Sequence, residues 1–227
     1  MNGRERAPHP RFRARPNWTG AVLVLLLALV ASGAQGPATG EQLQQHRNLG
    51  KAFYENPATQ YDAVGELEKA LALAPDSARE RVNYGLALLR AGQAEKGIVE
   101  LEKAQKQDPS IPHTWFNLGI ALAAEGKDDE AVAAYEQALA HDQAHFGARK
   151  NLGLLLHRRD RVEPAREQLM EALELRPADA EIRQALADIA RRTGDPTTCK
   201  THVEAVLRQQ PDDRAALELL EKCATPD

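Results

Sequence analysis

A period of 34 residues runs through most of the chain and restricts its fold more than any other feature. Asn83-Tyr84-Gly85, Asn117-Leu118-Gly119 and Asn151-Leu152-Gly153 recur 34 residues apart. Pro75, Pro109, Pro177 and Pro211 fall on the same grid, with Gln143 in the remaining proline slot. The grid divides residues 44–213 into five blocks: 44–77, 78–111, 112–145, 146–179 and 180–213. A unit this short cannot bury a core alone, so its copies must stack on one another.

Each block reads as two helices. In the third, Trp115, Leu118, Gly119 and Leu122 share one face at helical spacing. Gly126 sits where the chain must turn, and Ala131, Tyr135 and Ala138 mark a second helix. Gly119 and Ala131 are small enough for two backbones to approach, and Trp115, Leu118 and Tyr135 fill the space beside them. Block two repeats the pattern with Gly85, Gly97, Leu101 and Ala104, and block four with Gly153, Ala165, Leu169 and Ala172. Block five carries Ala187, Cys199, Val203 and Val206. Block one carries Leu49-Gly50, Ala63, Leu67 and Ala70, with one extra residue near Asn56-Pro57.

These residues resemble the tetratricopeptide repeat pattern of Trp, Leu-Gly and Tyr followed by Ala, Phe, Ala and Pro. Block three matches best, and Arg81, Arg149 and Arg183 depart from the pattern by replacing the tryptophan. The first blocks also resemble those of bacterial exported members of the family. The resemblance implies an all-α, right-handed solenoid of five helix-turn-helix units, 43–213, closed by a capping helix and tail at 214–227.

The first 34 residues read as a targeting segment. Arg4, Arg6, Arg11, Arg13 and Arg15 precede an unbroken apolar run, Ala21–Ala31, and Ser32-Gly33-Ala34 offers small residues at a cleavage site. An uncleaved signal anchor over 18–34 is the alternative, and the chain then touches a membrane only through that segment. Residues 35–42 read as a flexible tether. Both alternatives place the array beyond the bacterial inner membrane, in the periplasm or tethered to the membrane. The segment carries five of the 29 Lys and Arg residues and one of the 33 Asp and Glu. The chain's net charge of −4 therefore becomes −8 for the rest.

An acidic body with 4% aromatic residues argues against nucleic-acid partners. The three serines, Ser32, Ser77 and Ser110, lie in no hydrolase turn, and two cysteines cannot make a four-thiolate zinc site. His141 and His145 read as turn residues rather than metal ligands, and Asp128-Asp129-Glu130 as a helix start. The sequence thus predicts no catalytic residues, no metal and no cofactor.

The expected role is binding a protein or peptide. By resemblance, the first helix of each unit lines a concave face. Asn48, Asn83, Asn117 and Asn151 occupy one position there, and an amide that both donates and accepts can pair with an extended peptide backbone. Leu86, Phe116, Ile120 and Leu154 would form an apolar strip beside them. Lys150 and Arg158, with His157, Arg191 and Arg192, would hold an acidic segment or a terminal carboxylate. The alternative is a structural or assembly subunit that self-associates or docks through its convex face. Cys199 and Cys223 fall at ends that stacking brings together; they form a disulfide in an oxidising compartment or pack as two small buried residues.

Overall fold

The computed structural model describes residues 39–224. The targeting segment read at 1–34 lies outside the described residues, as do 225–227. Eleven α-helices form the described part, with no strand among the described residues. They run α1 Thr39–Tyr54, α2 Gln60–Leu73, α3 Ala78–Arg90, α4 Ala94–Gln107, α5 Pro112–Ala124 and α6 Asp128–His141. Then follow α7 Phe146–Arg158, α8 Val162–Leu175, α9 Ala180–Arg192, α10 Pro196–Leu207 and α11 Arg214–Cys223. The array is an all-α solenoid of five antiparallel pairs with α11 as its last helix. Part of the expected tether is helical instead, because α1 begins at Thr39. The extra residue of the first unit is taken up by a 3₁₀ turn, Pro57–Thr59, where the Ala58 N–H donates to the Asn56 side chain.

One contact recurs inside every pair. A Cβ added to Gly119 would stand 2.6 Å from the Tyr135 ring, one added to Gly50 or Gly153 would strike Leu67 or Leu169, and one added to Gly85 would press on Leu101 at 3.1 Å. Those partners sit on the following helix and are buried. The fifth pair makes the complementary exchange: Ala187 replaces glycine and Val203 replaces leucine, both fully buried. Total volume is conserved while the residues change, as close packing requires.

A second device joins successive units. In the last four units the residue at the tryptophan position donates to the carbonyl six residues earlier, whereas His46 of the first unit pairs with Glu66. Trp115 Nε1 donates to Pro109 O at 2.9 Å, Arg81 to Pro75 O at 2.9 Å, Arg149 to Gln143 O at 2.5 Å and Arg183 to Pro177 O at 2.8 Å. What the site selects is a flat side chain with an N–H at its edge, which both Trp and Arg supply.

The turn inside each pair has a third constraint. Gly92, Gly126 and Gly194 adopt φ near +75°, and Asp160 takes the same position at φ 59°. Left-handed backbone costs a residue with a Cβ about 1 kcal/mol, which glycine avoids.

First helices of successive units touch directly, as between α3 and α5, α5 and α7, α7 and α9, and α9 and α11. Second helices make contact mainly through the first helices between them. The stack is therefore tighter along the first helices, which puts them on its inner, concave side.

Two substitutions separate these constraints. Gly119→Ala must displace the buried Tyr135 ring and is expected to cost about 1–3 kcal/mol. Asp160→Gly relieves the left-handed backbone at the expense of an exposed ion pair with Arg192, for a net gain of about 0.5 kcal/mol. Chemical denaturation of both variants beside the parent checks each sign.

Candidate functional site

Two depressions open on the concave side, related by two units of the repeat. The first holds about 200 Å³ and is lined by Arg47, Lys51, Tyr54, Leu67, Asn83 and Leu86. The second holds about 310 Å³; Ile120, Ala123, Tyr135, Asn151, Leu154 and Arg158 are among its lining residues. The correspondence runs residue by residue. Asn83 matches Asn151, Leu86 matches Leu154, Lys51 matches Ile120, Tyr54 matches Ala123, and Leu67 matches Tyr135. Each depression thus has an amide, a leucine wall and a basic side chain at its edge.

The four asparagines are in different states. Asn48 is exposed, and its Oδ1 accepts from Gln44 Nε2 at 2.8 Å on its own helix. Asn83, Asn117 and Asn151 are half-buried. Burial pushes the Tyr135 hydroxyl up, against a hydrogen bond with Asn151 and the positive charge of Arg158. An amide has four bonding positions, so one internal partner leaves Asn48 and Asn151 able to bind another group.

Of the expected apolar strip, Leu86, Ile120 and Leu154 line the depressions, and Ile120 is the most open at 40% exposure. Phe116 is engaged elsewhere. Its ring lies 4.6 Å from the His145 ring and packs over Gly147, where an added Cβ would meet it at 2.8 Å.

The basic residues are mostly paired within the chain. Lys150 Nζ donates to Asp179 at 2.9 Å and lies 2.8 Å from Glu181. His157 stands 3.3 Å from Asp188, Arg191 3.2 Å from the same carboxylate, and Arg192 pairs with Asp160. Arg158 is exposed at the mouth of the second depression.

Lys150 and Phe116 belong to a pattern the sequence reading missed. They occupy the fifth position of their units, and that position reaches the start of the next first helix. Phe116 meets His145, Lys150 meets Asp179, Gln184 Nε2 donates to Asp213 at 2.9 Å, and Arg47 meets Glu80. In three of these the partner is the helix N-cap. Glu80 is fully buried; Arg47 donates to its Oε1 through Nε at 3.1 Å and Nη2 at 2.6 Å. The hydrogen bond to Glu80 raises the Arg47 guanidinium against the cost of burial.

Arg47, Lys51 and Tyr54 were also missed as site residues. Counting in both directions from Gly50 would have found them, since they hold the same positions as Phe116, Ile120 and Ala123 around Gly119. Tyr54 is fixed by Arg90, whose guanidinium carbon lies 4.8 Å from its ring centre. Cys199 and Cys223 are joined by a disulfide, their Cα atoms 5.7 Å apart.

Comparison with known proteins agrees with this geometry. Residues 61–112 and 112–145 match tetratricopeptide repeat family models. No curated protein matches the sequence. Among solved structures, MamA from Desulfovibrio magneticus RS-1 superposes with a TM-score of 0.68 at 20% identity, over 78% of this chain and 99% of that one. Pseudomonas aeruginosa PilF gives 0.72 at 18% identity, over 82% and 84%. YrrB, a tetratricopeptide repeat protein with an unusual peptide-binding site, gives 0.67 at 16% identity, over 82% and 100%. The class defined here is the helical-repeat interaction scaffold. The chain is a tetratricopeptide repeat protein.

The Lys150–Asp179 joint gives a pH signature. Burial alone would raise the Asp179 carboxyl, but hydrogen bonds from Lys150 and from the Ile182 N–H hold it below its ordinary value. A carboxyl lowered in the folded state stabilises above its unfolded value, near pH 4, and that contribution disappears as pH falls through the folded value. Lys150→Met is expected to lower stability at pH 7 by about 1 kcal/mol and to flatten the loss as pH falls below about 4. Denaturation midpoints across that range check it.

Proposed function

We propose that this protein is a non-enzymatic scaffold that holds an extended segment of a partner protein along its concave face. The observation that carries the reading is the pair of equivalent depressions, each presenting Asn and Leu from a first helix. Two like stations on one face suit a strand-like ligand, whose backbone repeats its donors and acceptors regardless of sequence. The leucine walls take apolar side chains, while Lys51 at one station and Arg158 at the other favour acidic residues beside them. This places Asn83, Asn151, Leu86, Ile120, Leu154 and Arg158 in contact with ligand. Asn117 lies between the stations in sequence, and Asn48 precedes them. Lys150 and Phe116 act as joints that keep the stations in register.

The workplace we propose is the bacterial cell envelope, with residues 1–34 as signal peptide or anchor. The basic and apolar order of that segment supports export, and a disulfide suits an oxidising compartment. No helix among the described residues is long and apolar enough to cross a membrane.

The test compares the parent with Asn83→Ala/Asn151→Ala. A partner segment captured from envelope extracts and resynthesised as a peptide should bind the double variant about thirty-fold more weakly, at about 1 kcal/mol per lost amide contact. The thermal midpoint should stay within a few degrees. Equal affinity for both proteins places the binding surface elsewhere and ends the reading.

A further inference from the structure

The last helix, α11, is ten residues long and packs on α9 and α10 with no further helix beyond it among the described residues. In α11 only Ala216 and Cys223 are buried. Leu219 and Leu220 are half-buried against the end of the core, and Leu217 is 43% exposed. The covalent link from Cys223 to Cys199 ties the far end of this helix to the start of α10.

The repeat itself shows what is unusual about the surroundings of that bond. One unit earlier, Arg166, Met170, Leu186, Ile189 and Ala190 surround a space of only about 60 Å³, closed over by Thr198 and His202 of α10. Moving 34 residues on, the same positions are Lys200, Glu204, Leu220, Cys223 and Ala224. They line an open groove of about 520 Å³ that no helix covers among the described residues. Cys223 thus forms part of an open wall where Ile189 is roofed. Cys199 is fully buried behind it and does not line the groove.

The two sulfurs also differ electronically. Cys199 lies in the first turn of α10, beside Lys200 and three residues after Pro196 at the helix start. A thiolate there sits at the positive end of the helix dipole. Cys223 lies at the C-terminal end of α11, where the dipole disfavours negative charge. Attack from the groove on Cys223 therefore expels the better leaving group.

We propose that the Cys199–Cys223 bond is a thiol–disulfide exchange site for a dithiol reductant that enters through this groove, and that its reduction releases α11. The reductant's thiolate attacks Cys223 Sγ, forming a mixed disulfide as the Cys199–Cys223 bond breaks and Cys199 leaves as thiolate. The reductant's second thiol then displaces Cys223 Sγ and closes its own disulfide. The reductant loses two electrons and two protons; the two cysteines gain them and become thiols. Without the bond, a ten-residue helix too short to be stable by itself is left with the packing of Ala216, Leu219, Leu220 and Cys223 and the Gln184–Asp213 hydrogen bond. Its departure uncovers Ala187, Ala190, Val203 and Val206, the apolar end of the array. Reduction thus converts a capped edge into one that can receive another helix. Neither concave depression uses a residue of α10 or α11, so this proposal stands apart from the peptide-binding reading.

The test uses the full oxidised chain with glutathione and then dithiothreitol, without denaturant. Acid-quenched peptide mapping after brief glutathione exposure should find the mixed disulfide on Cys223 over Cys199 by about ten-fold or more. After reduction by dithiothreitol, hydrogen exchange should show α11 losing protection by about ten-fold or more while α7 and α8 keep theirs. Thr201→Trp, which fills the groove from the exposed face of α10, should slow reduction by about ten-fold and leave α11 protection in the oxidised protein unchanged. Any of three results overturns the proposal: adducts mainly on Cys199, reduction only under conditions that also unprotect α7, or α11 equally protected in both redox states. An unchanged rate in Thr201→Trp removes the groove as the route and overturns it as well.

Discussion

Each helix pair closes where a residue with little or no side chain faces a large one across the pair, and the rest of the array depends on how close that approach is. Gly50, Gly119 and Gly153 leave no room for a Cβ against Leu67, Tyr135 and Leu169, and Gly85 leaves little against Leu101. The last pair places Ala187 and Val203 at these positions, both fully buried. A fixed separation within pairs lets one pair stack on the next at a constant angle, because interiors pack at nearly constant density. Repeated at a constant angle, contact between successive first helices gives a concave face. Two depressions two units apart, sharing an Asn and a Leu at equivalent positions, are the consequence.

Much of this was legible in the sequence because the relevant signal is periodic. A glycine recurring every 34 residues marks the close approach, and the large partner follows it by sixteen or seventeen positions. The substitution of Trp115 by Arg81, Arg149 and Arg183 looked like a departure from pattern. The hydrogen bonds show that it preserves the function of the position, which is to donate an N–H to the carbonyl six residues before. Asp160 was not legible in the same way. The three glycines at its position identify a left-handed turn only after the backbone is seen, and Asp is among the non-glycine residues that tolerate that region.

The site was read less completely, for a physical reason. Residue type and spacing say which face a side chain occupies; they do not say whether the next unit comes close enough to claim it. Lys150 and Phe116 face inward as expected, yet both are used by the following unit. The joints at this position are chemically unlike: an ion pair, an aromatic contact, a second ion pair and an amide–carboxylate hydrogen bond. Nothing in the pattern of residue types announces them as one set. They become one set only through their shared geometry, a side chain at the fifth position meeting the start of the next first helix.

That geometry also explains how the groove can offer charge without carrying a large net field. Lys150, His157, Arg191 and Arg192 each have an acidic partner from Asp160, Asp179, Glu181 or Asp188. Partly buried pairs of this kind hold neighbouring units in register and contribute little long-range attraction, since opposite charges a few ångströms apart cancel at a distance. The cations that line the depressions are Arg47 and Lys51 at one and Arg158 at the other. Arg47 is committed to Glu80, a fully buried carboxylate that would be left uncompensated without it. Lys51 and Arg158 therefore remain as the side chains able to exchange water for an acidic ligand at small cost to the array, and in the proposed peptide-binding role recognition by charge would fall to these two positions.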